Sequence, residues 1–166
     1  SGHLYIATGG AVSRLWHSRD YGHHWEVFNT PILQGKSSQG IFSLAFYDTL
    51  NGIIVGGDYL NDTLWGNNIF MTSDGGKTWT SPGNNIQGYF SCVEYIMHGT
   101  LASPVKATGS SRTAVSYDGG KSWKTEIKFH GSNTMRKVMN AEGITFFFCG
   151  GPDGFYTDVI EFTKKR

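Results

Sequence analysis

Strand-sized apolar runs, each bounded by Gly, Asn, Asp or Pro, follow one another along the 166-residue chain. The clearest set is IFSLAFYD from Ile41, NGIIVGGDY from Asn51, NNIFMTS from Asn67 and TWTSP from Thr78, which predicts a four-strand antiparallel meander. YFSCVEYIM from Tyr89, LASPVKATG from Leu101, TAVSY from Thr113 and SWKTEIKF from Ser122 repeat it. The ends read as shortened copies. LYIATGG, SRLWHS and HHWEVFN lack a first strand, and TMRKVMNA, GITFFFCGG and FYTDVIEF lack a last one. The pattern thus predicts fourteen strands grouped three, four, four and three. Pro104 falls inside an expected strand, which predicts an edge position or a bulge there.

One eight-residue sentence recurs at a fixed place in the first three groups: SRDYGHHW from Ser18 to Trp25, TSDGGKTW from Thr72 to Trp79, and SYDGGKSW from Ser116 to Trp123. Asp20, Asp74 and Asp118 are 54 and 44 residues apart, the roughly 40–50-residue period of four-stranded propeller blades. An Asp in a hairpin accepts hydrogen bonds from N–H groups just ahead of it. Gly22, Gly76 and Gly120 supply positive φ, and the hydroxyls of Ser18, Thr72 and Ser116 close the turn from the other side. Trp25, Trp79 and Trp123 open the next strand and bury their rings between sheets. A metal-binding reading asks for several oxygen ligands within about twelve residues. Each turn offers one carboxylate followed by Lys or His, so these residues read as structural staples, with no metal.

On these three turns the chain resembles the Asp-box (BNR) repeat proteins, whose pattern is Ser/Thr-x-Asp-x-Gly-x-x-Trp/Phe. GIFSLAFYDTLNGIIVGGDY, from Gly40 to Tyr59, is similar to bacterial members catalogued as putative oxidoreductases or glycosyl hydrolases and related to photosystem II assembly and stability factors. The resemblance runs over residues 4–162. It implies an all-β fold: a single partial β-propeller domain over 1–166, of about three and a half four-stranded antiparallel blades with Asp-box hairpins. The blades fall at approximately 4–29, 41–81, 89–128 and 134–162. It further implies the C-terminal half of a ring of about six or seven blades. The partner would be the absent N-terminal half or a second chain, and the location periplasmic or extracellular. The sequence itself has no GxGxxG between strand and helix, no flavin motif and no metal-ligand cluster, so no cofactor is expected.

Composition agrees with many short strands and tight turns: 23 glycines, 14% aromatic and only 16% charged residues, against a usual charged share of about 25%. Fourteen basic residues nearly balance thirteen acidic ones without a basic run, which argues against nucleic-acid partners. The longest apolar run is far below the roughly 20 residues of a membrane-spanning helix. Cys92 and Cys149 read as buried free thiols.

Two ligand-engaging classes remain, beside a propeller with a purely structural role. The first is a non-catalytic binding or assembly scaffold that engages a protein or glycan through loops at the channel mouth. The second is a secreted, sialidase-like glycoside hydrolase with part of its site elsewhere. Glycosidases need paired carboxylates, and sialidases an arginine triad. The five arginines, Arg14, Arg19, Arg112, Arg136 and Arg166, form no such context and read as solvated charges or blade-to-blade ion pairs, so no catalytic residue is assigned. Ligand-binding candidates come from matching loops of successive blades: Asp58, Tyr59 and Asn61; Ser110 and Arg112; Asp153. Trp65, in a polar loop, is placed to stack on a sugar or a partner. Gly56 and Gly57 are expected where inner strands crowd the axis. His17 is expected to point outward from its strand, and His98 and His130 to lie at turns.

Overall fold

The computed structural model describes residues 2–84, 86–96, 103–126, 132–140, 145–151 and 154–160. All regular structure among them is strand: β1 (Leu4–Ala7), β2 (Arg14–Ser18), β3 (Glu26–Asn29), β4 (Gln39–Phe46), β5 (Gly52–Asp58), β6 (Ile69–Thr72), β7 (Cys92–Tyr95), β8 (Val105–Thr108), β9 (Thr113–Ser116), β10 (Lys124–Glu126), β11 (Thr134–Met139), β12 (Thr145–Gly151) and β13 (Gly154–Ile160). They form four antiparallel sheets in chain order, β1-β2-β3, β4-β5-β6, β7-β8-β9-β10 and β11-β12-β13. The all-β expectation holds, and among the described residues no helix is long and apolar enough to cross a membrane.

The second sheet departs from the expected four strands. Its last strand shrinks to one bridge, where Met71 and Thr80 exchange backbone hydrogen bonds of 2.9 and 2.8 Å. Two residues on, Pro82 has no N–H to continue a ladder. The chain instead crosses to the third sheet. There the Gly83 amide donates to the Lys121 carbonyl at 2.7 Å, and the Asn84 side chain clips Trp123, donating to its carbonyl at 2.7 Å and accepting from its amide at 2.9 Å. Pro104 also departs from expectation. It stands immediately ahead of β8, a central strand, where its missing donor interrupts nothing, and its carbonyl accepts the Ile96 amide at 2.7 Å. The irregularity lies in β4 instead: the register with β5 shifts between Ile41 and Ser43, leaving Phe42 as the bulged residue.

The sheets pack face to face. Ile53, Val55 and Ile69 of the second meet Val93, Val105, Ala107 and Ala114 of the third, with Trp123 closing the layer. Cys92, Ile96 and Val115 of the third meet Met135, Phe147 and Cys149 of the fourth. Ala7 of the first packs on Ile41, Ile54 and Phe70 of the second. Each fully buried Val, Ile, Phe or Met among them contributes about 1.5–3 kcal/mol. Both cysteines are buried, and neither is in a disulfide. Lys106, 2% exposed, carries its ammonium 5.3 Å from the centre of the Phe147 ring, a cation over an aromatic face. Gly56 is obligatory, because a Cβ there would fall 1.8 Å from the Gly40 carbonyl oxygen.

Candidate functional site

The β1–β2, β5–β6 and β8–β9 turns gather at one end with the connections that join successive sheets. Gly10 N–H donates to Gln39 O, Leu33 N–H to Asn67 O, Tyr59 N–H to Ser38 O and Gly88 N–H to Leu64 O, at 2.7–3.2 Å. Asp58 is buried beneath this end. Its carboxylate accepts the Gln39 side-chain amide and the Leu60 backbone amide, each at 3.0 Å. The Gln39 bond, helped by Ser38, Leu60 and the charge of Lys36 against the opposing effect of desolvation, holds its carboxyl below the usual value. Its oxygens are turned to the chain's own donors.

Asp62, which the sequence did not single out, ties this end together. Its Oδ1 accepts the Tyr89 amide at 2.7 Å, and its Oδ2 accepts the hydroxyls of Ser110, at 3.4 Å, and of Ser111. Arg112 lies across the same seam. It donates to the Asp62 carbonyl at 3.1 Å, to the Gln87 carbonyl at 3.0 Å and side chain at 3.3 Å, and to Ser111 Oγ at 3.2 Å. Three of these bonds serve neighbouring segments of the chain and the fourth its own turn. Asn61 accepts the Thr63 hydroxyl at 2.8 Å and remains exposed. Asp153 lies outside the described residues.

Above this clamp sit three aromatic rings. Phe42, turned out by its bulge, meets Tyr89 edge-on with centroids 4.9 Å apart and Tyr59 edge-on at 5.9 Å, while Tyr59 and Tyr89 are 6.3 Å apart. Tyr89 is the buried floor; Tyr59 is 48% exposed and Phe42 39%. Burial raises the Tyr89 phenol, so it stays protonated as a donor throughout the physiological range. Leu60, Leu64 and Trp65 project from the same 58–68 loop into solvent, Trp65 bridging to Gln87 through its backbone. The structure therefore brings Asp58, Tyr59 and Trp65 together with Ser110 and Arg112, and adds Phe42, Asp62 and Tyr89. Asp62 was hidden because its partners lie 27–50 residues away.

The three Asp turns lie at the opposite end, and in each the carboxylate is satisfied by donors of its own turn. Asp118 Oδ1 accepts the Ser116 hydroxyl at 2.8 Å and the Ser122 amide at 2.9 Å, and Oδ2 the Ser122 hydroxyl at 2.6 Å. Asp74 repeats this with Thr72 and Thr78 at 2.8, 2.9 and 2.6 Å. Asp20 uses Ser18 and the His24 amide, each at 2.9 Å, and the His24 ring at 2.6 Å. Burial alone raises Asp74 and Asp118, but the bonds from Thr78 and Thr72, or from Ser122 and Ser116, outweigh it and leave both carboxyls low. Two consecutive residues turn left-handed: Tyr21 and Gly22 with φ of 59° and 91°, Gly75 and Gly76 with 75° and 93°, Gly119 and Gly120 with 75° and 96°. Trp25 and Trp123 return a ring N–H to the Gly22 and Gly120 carbonyls at 3.0 and 2.8 Å, whereas the Trp79 ring N–H is buried without a partner.

One histidine at this end corrects the sequence reading. His17 points inward, 2% exposed, stacked on Tyr5 of β1 and set against Gly75 of the second Asp turn. Its Nε2 lies 2.9 Å from His3 Nδ1. His98 and His130 lie outside the described residues. No group of three or more His, Cys, Asp or Glu among the described residues has metal-holding geometry. Between the second and third sheets, a groove of about 210 Å³ is lined by Tyr47, Asn51, Met71, Tyr95 and Lys121. Of the arginines, Arg136 reaches across sheets to Glu94 at 3.3 Å, and Arg19 pairs with Glu26 at 3.0 Å within the first sheet.

No family model matches the chain, and no curated protein does. Solved structures similar to it include YCF48 bound to D1 peptide, at a TM-score of 0.56 and 19% identity over 92% of this chain and 47% of that one. The GH74 xyloglucanase from Xanthomonas campestris matches at 0.56 and 16% identity over 90% and 25%, and the GH74 enzyme from Niastella koreensis at 0.58 and 16% over 95% and 27%. The chain thus spans about half the length of the first and about a quarter of the other two. At these identities the likeness concerns fold alone: the chain is an all-β segment of the β-propeller kind.

Proposed function

We propose that this chain is part of a non-catalytic Asp-box propeller that binds an extended protein segment at the Phe42, Tyr59 and Tyr89 cluster. What carries this reading is the pairing of open aromatic surface with committed carboxylates. Phe42 and Tyr59 offer ring faces to solvent, while Asp58 and Asp62 at the same end are held by N–H and O–H donors of the chain. Aromatic anchors in a rigid seam are the usual centre of a protein-binding patch. The likeness to YCF48, solved with a peptide, supports a peptide over a glycan. The remaining blades, supplied by an N-terminal half or a second chain, and a periplasmic or extracellular location belong to the same proposal.

The test is a selection from a displayed random-peptide library, followed by calorimetry of a recovered peptide against Phe42→Ser and Tyr59→Ser. Losing such an anchor costs about 2 kcal/mol, so each variant is expected to bind roughly thirtyfold more weakly with an unchanged urea midpoint. Recovered peptides that bind both variants as tightly as the parent overturn the assignment. The GH74 likenesses supply the second reading, and release of reducing ends from xyloglucan by the parent protein would favour it.

A further inference from the structure

The seam between the first two sheets holds a stack that neither the turns nor the loop end requires. The Tyr5 ring lies on Phe46 with centroids 3.7 Å apart and an interplanar angle of 10°, and its other face stacks on His17 at 4.3 Å. The Tyr5 hydroxyl donates to the Thr49 carbonyl at 2.8 Å, in the turn after β4. His17 in turn sits against Gly75, where a Cβ would lie 3.5 Å from the ring. One aromatic column from the first sheet is therefore seated on both β4 and the second Asp turn.

We propose that the His3–His17 pair is an acid-sensitive latch that holds the first sheet on the second when neutral and releases it when both rings are protonated.

The argument is one of proton counting. At 2.9 Å the two nitrogens share a single proton: one donates and the other accepts. A second proton makes both nitrogens donors and the contact repulsive. The other nitrogen of His17 offers no relief, because Nδ1 is buried without a partner, and an N–H placed there has no acceptor. The surroundings act in the same direction. Burial, then the charges of His3, Arg19 on the same hairpin and Lys77 of the second Asp turn, disfavour an imidazolium at position 17, and only Glu26 of β3 opposes them. Asp48, beyond Tyr5, faces the phenol. His17 accordingly titrates below its ordinary value of 6.5.

The sign follows from that depression. Below about pH 6.5 the opened chain protonates the His17 ring while the seated ring resists. Stability contributed by the latch is complete above that pH and is lost as pH falls toward the folded value. Equivalent turn positions suggest the control. The residue one place before the turn hydroxyl is His17 in the first sheet, Met71 in the second and Val115 in the third, so a non-titrating apolar side chain fits this place in the fold.

The experiment measures amide hydrogen exchange, corrected for intrinsic rate, at about pH 7.5 and pH 5. In the parent, protection of β1 and β2 amides is expected to fall on the order of tenfold relative to β8 and β9, because the opened chain takes up protons that the seated His17 resists. In His17→Met the ratio should stay constant within about twofold. His3→Gln retains a partner that can accept from Nε2, so the His17 ring resonance should titrate at higher pH than in the parent. An equal fall in His17→Met, no fall in the parent, or an unmoved His17 titration in His3→Gln each overturns the latch.

Discussion

Replacing Asp118 with Ala separates a carboxylate that builds the turn from one that serves a ligand. The side chain accepts three hydrogen bonds, from the Ser116 hydroxyl and from the Ser122 amide and hydroxyl. Ser116 Oγ also receives the Gly120 amide at 2.8 Å, so the carboxylate orients a hydroxyl that itself holds the left-handed residue. Ser122 is exposed and water replaces part of what is lost, which puts each bond near about 1 kcal/mol net. The variant should therefore lose about 2–3 kcal/mol, or about 4–12 °C in melting temperature for a chain of this size. Asp118→Asn keeps one acceptor oxygen and should lose about half as much. Acid supplies an internal check. The folded carboxyl sits below its ordinary 3.8 because the Ser122 and Ser116 bonds outweigh burial. The unfolded chain thus protonates first, and the advantage of the parent over Asp118→Ala should be full above about pH 4 and fade as pH falls through the folded value. Urea denaturation followed by far-ultraviolet circular dichroism measures both. A loss below about 0.5 kcal/mol, the range of ordinary surface substitutions, would refute the structural role of this carboxylate.

Tyr21 occupies the first left-handed place of its turn, where the other two turns have glycine, and a non-glycine residue there costs about 1–2 kcal/mol. Tyr21→Gly should raise the urea midpoint despite losing the ring's contact with Gly2; a lower midpoint would mean that this contact outweighs the backbone strain. Trp79→Phe and Trp123→Phe should differ in thermal melts. The first removes a ring N–H that has no partner and should cost little, while the second breaks the 2.8 Å bond to Gly120 inside a buried layer and should cost about 1–3 kcal/mol more.

Local chemistry was legible in the sequence, and contacts between sheets were not. The hydroxyl, Asp, Gly and Trp of each turn interact within eight residues, so spacing alone conveys their roles. The alternation in IFSLAF marks a strand but not the slip at Phe42, since a bulge changes which face a residue meets without changing the residues. TWTSP looked like a full strand because nothing in its composition reports that Asn84 is captured 39 residues further on by Trp123. His17 was misplaced by assuming that alternation alone fixes which way a strand faces. The Tyr5 stack and the 14-residue pairing with His3 decide it instead. Asp62 illustrates the same limit at the loop end, where a residue in an unremarkable polar loop holds partners from two distant turns.

The Asn84 clip has a consequence for how the molecule comes apart. The second and third sheets are joined at their outer rim by Asn84 and Trp123, in their shared interior by the Ile53 and Val93 layer, and at the loop end by Asp62 and Arg112. With fastenings at rim, interior and loop end, the second and third sheets are expected to open together, so a protease should release a resistant core that includes residues 39–126.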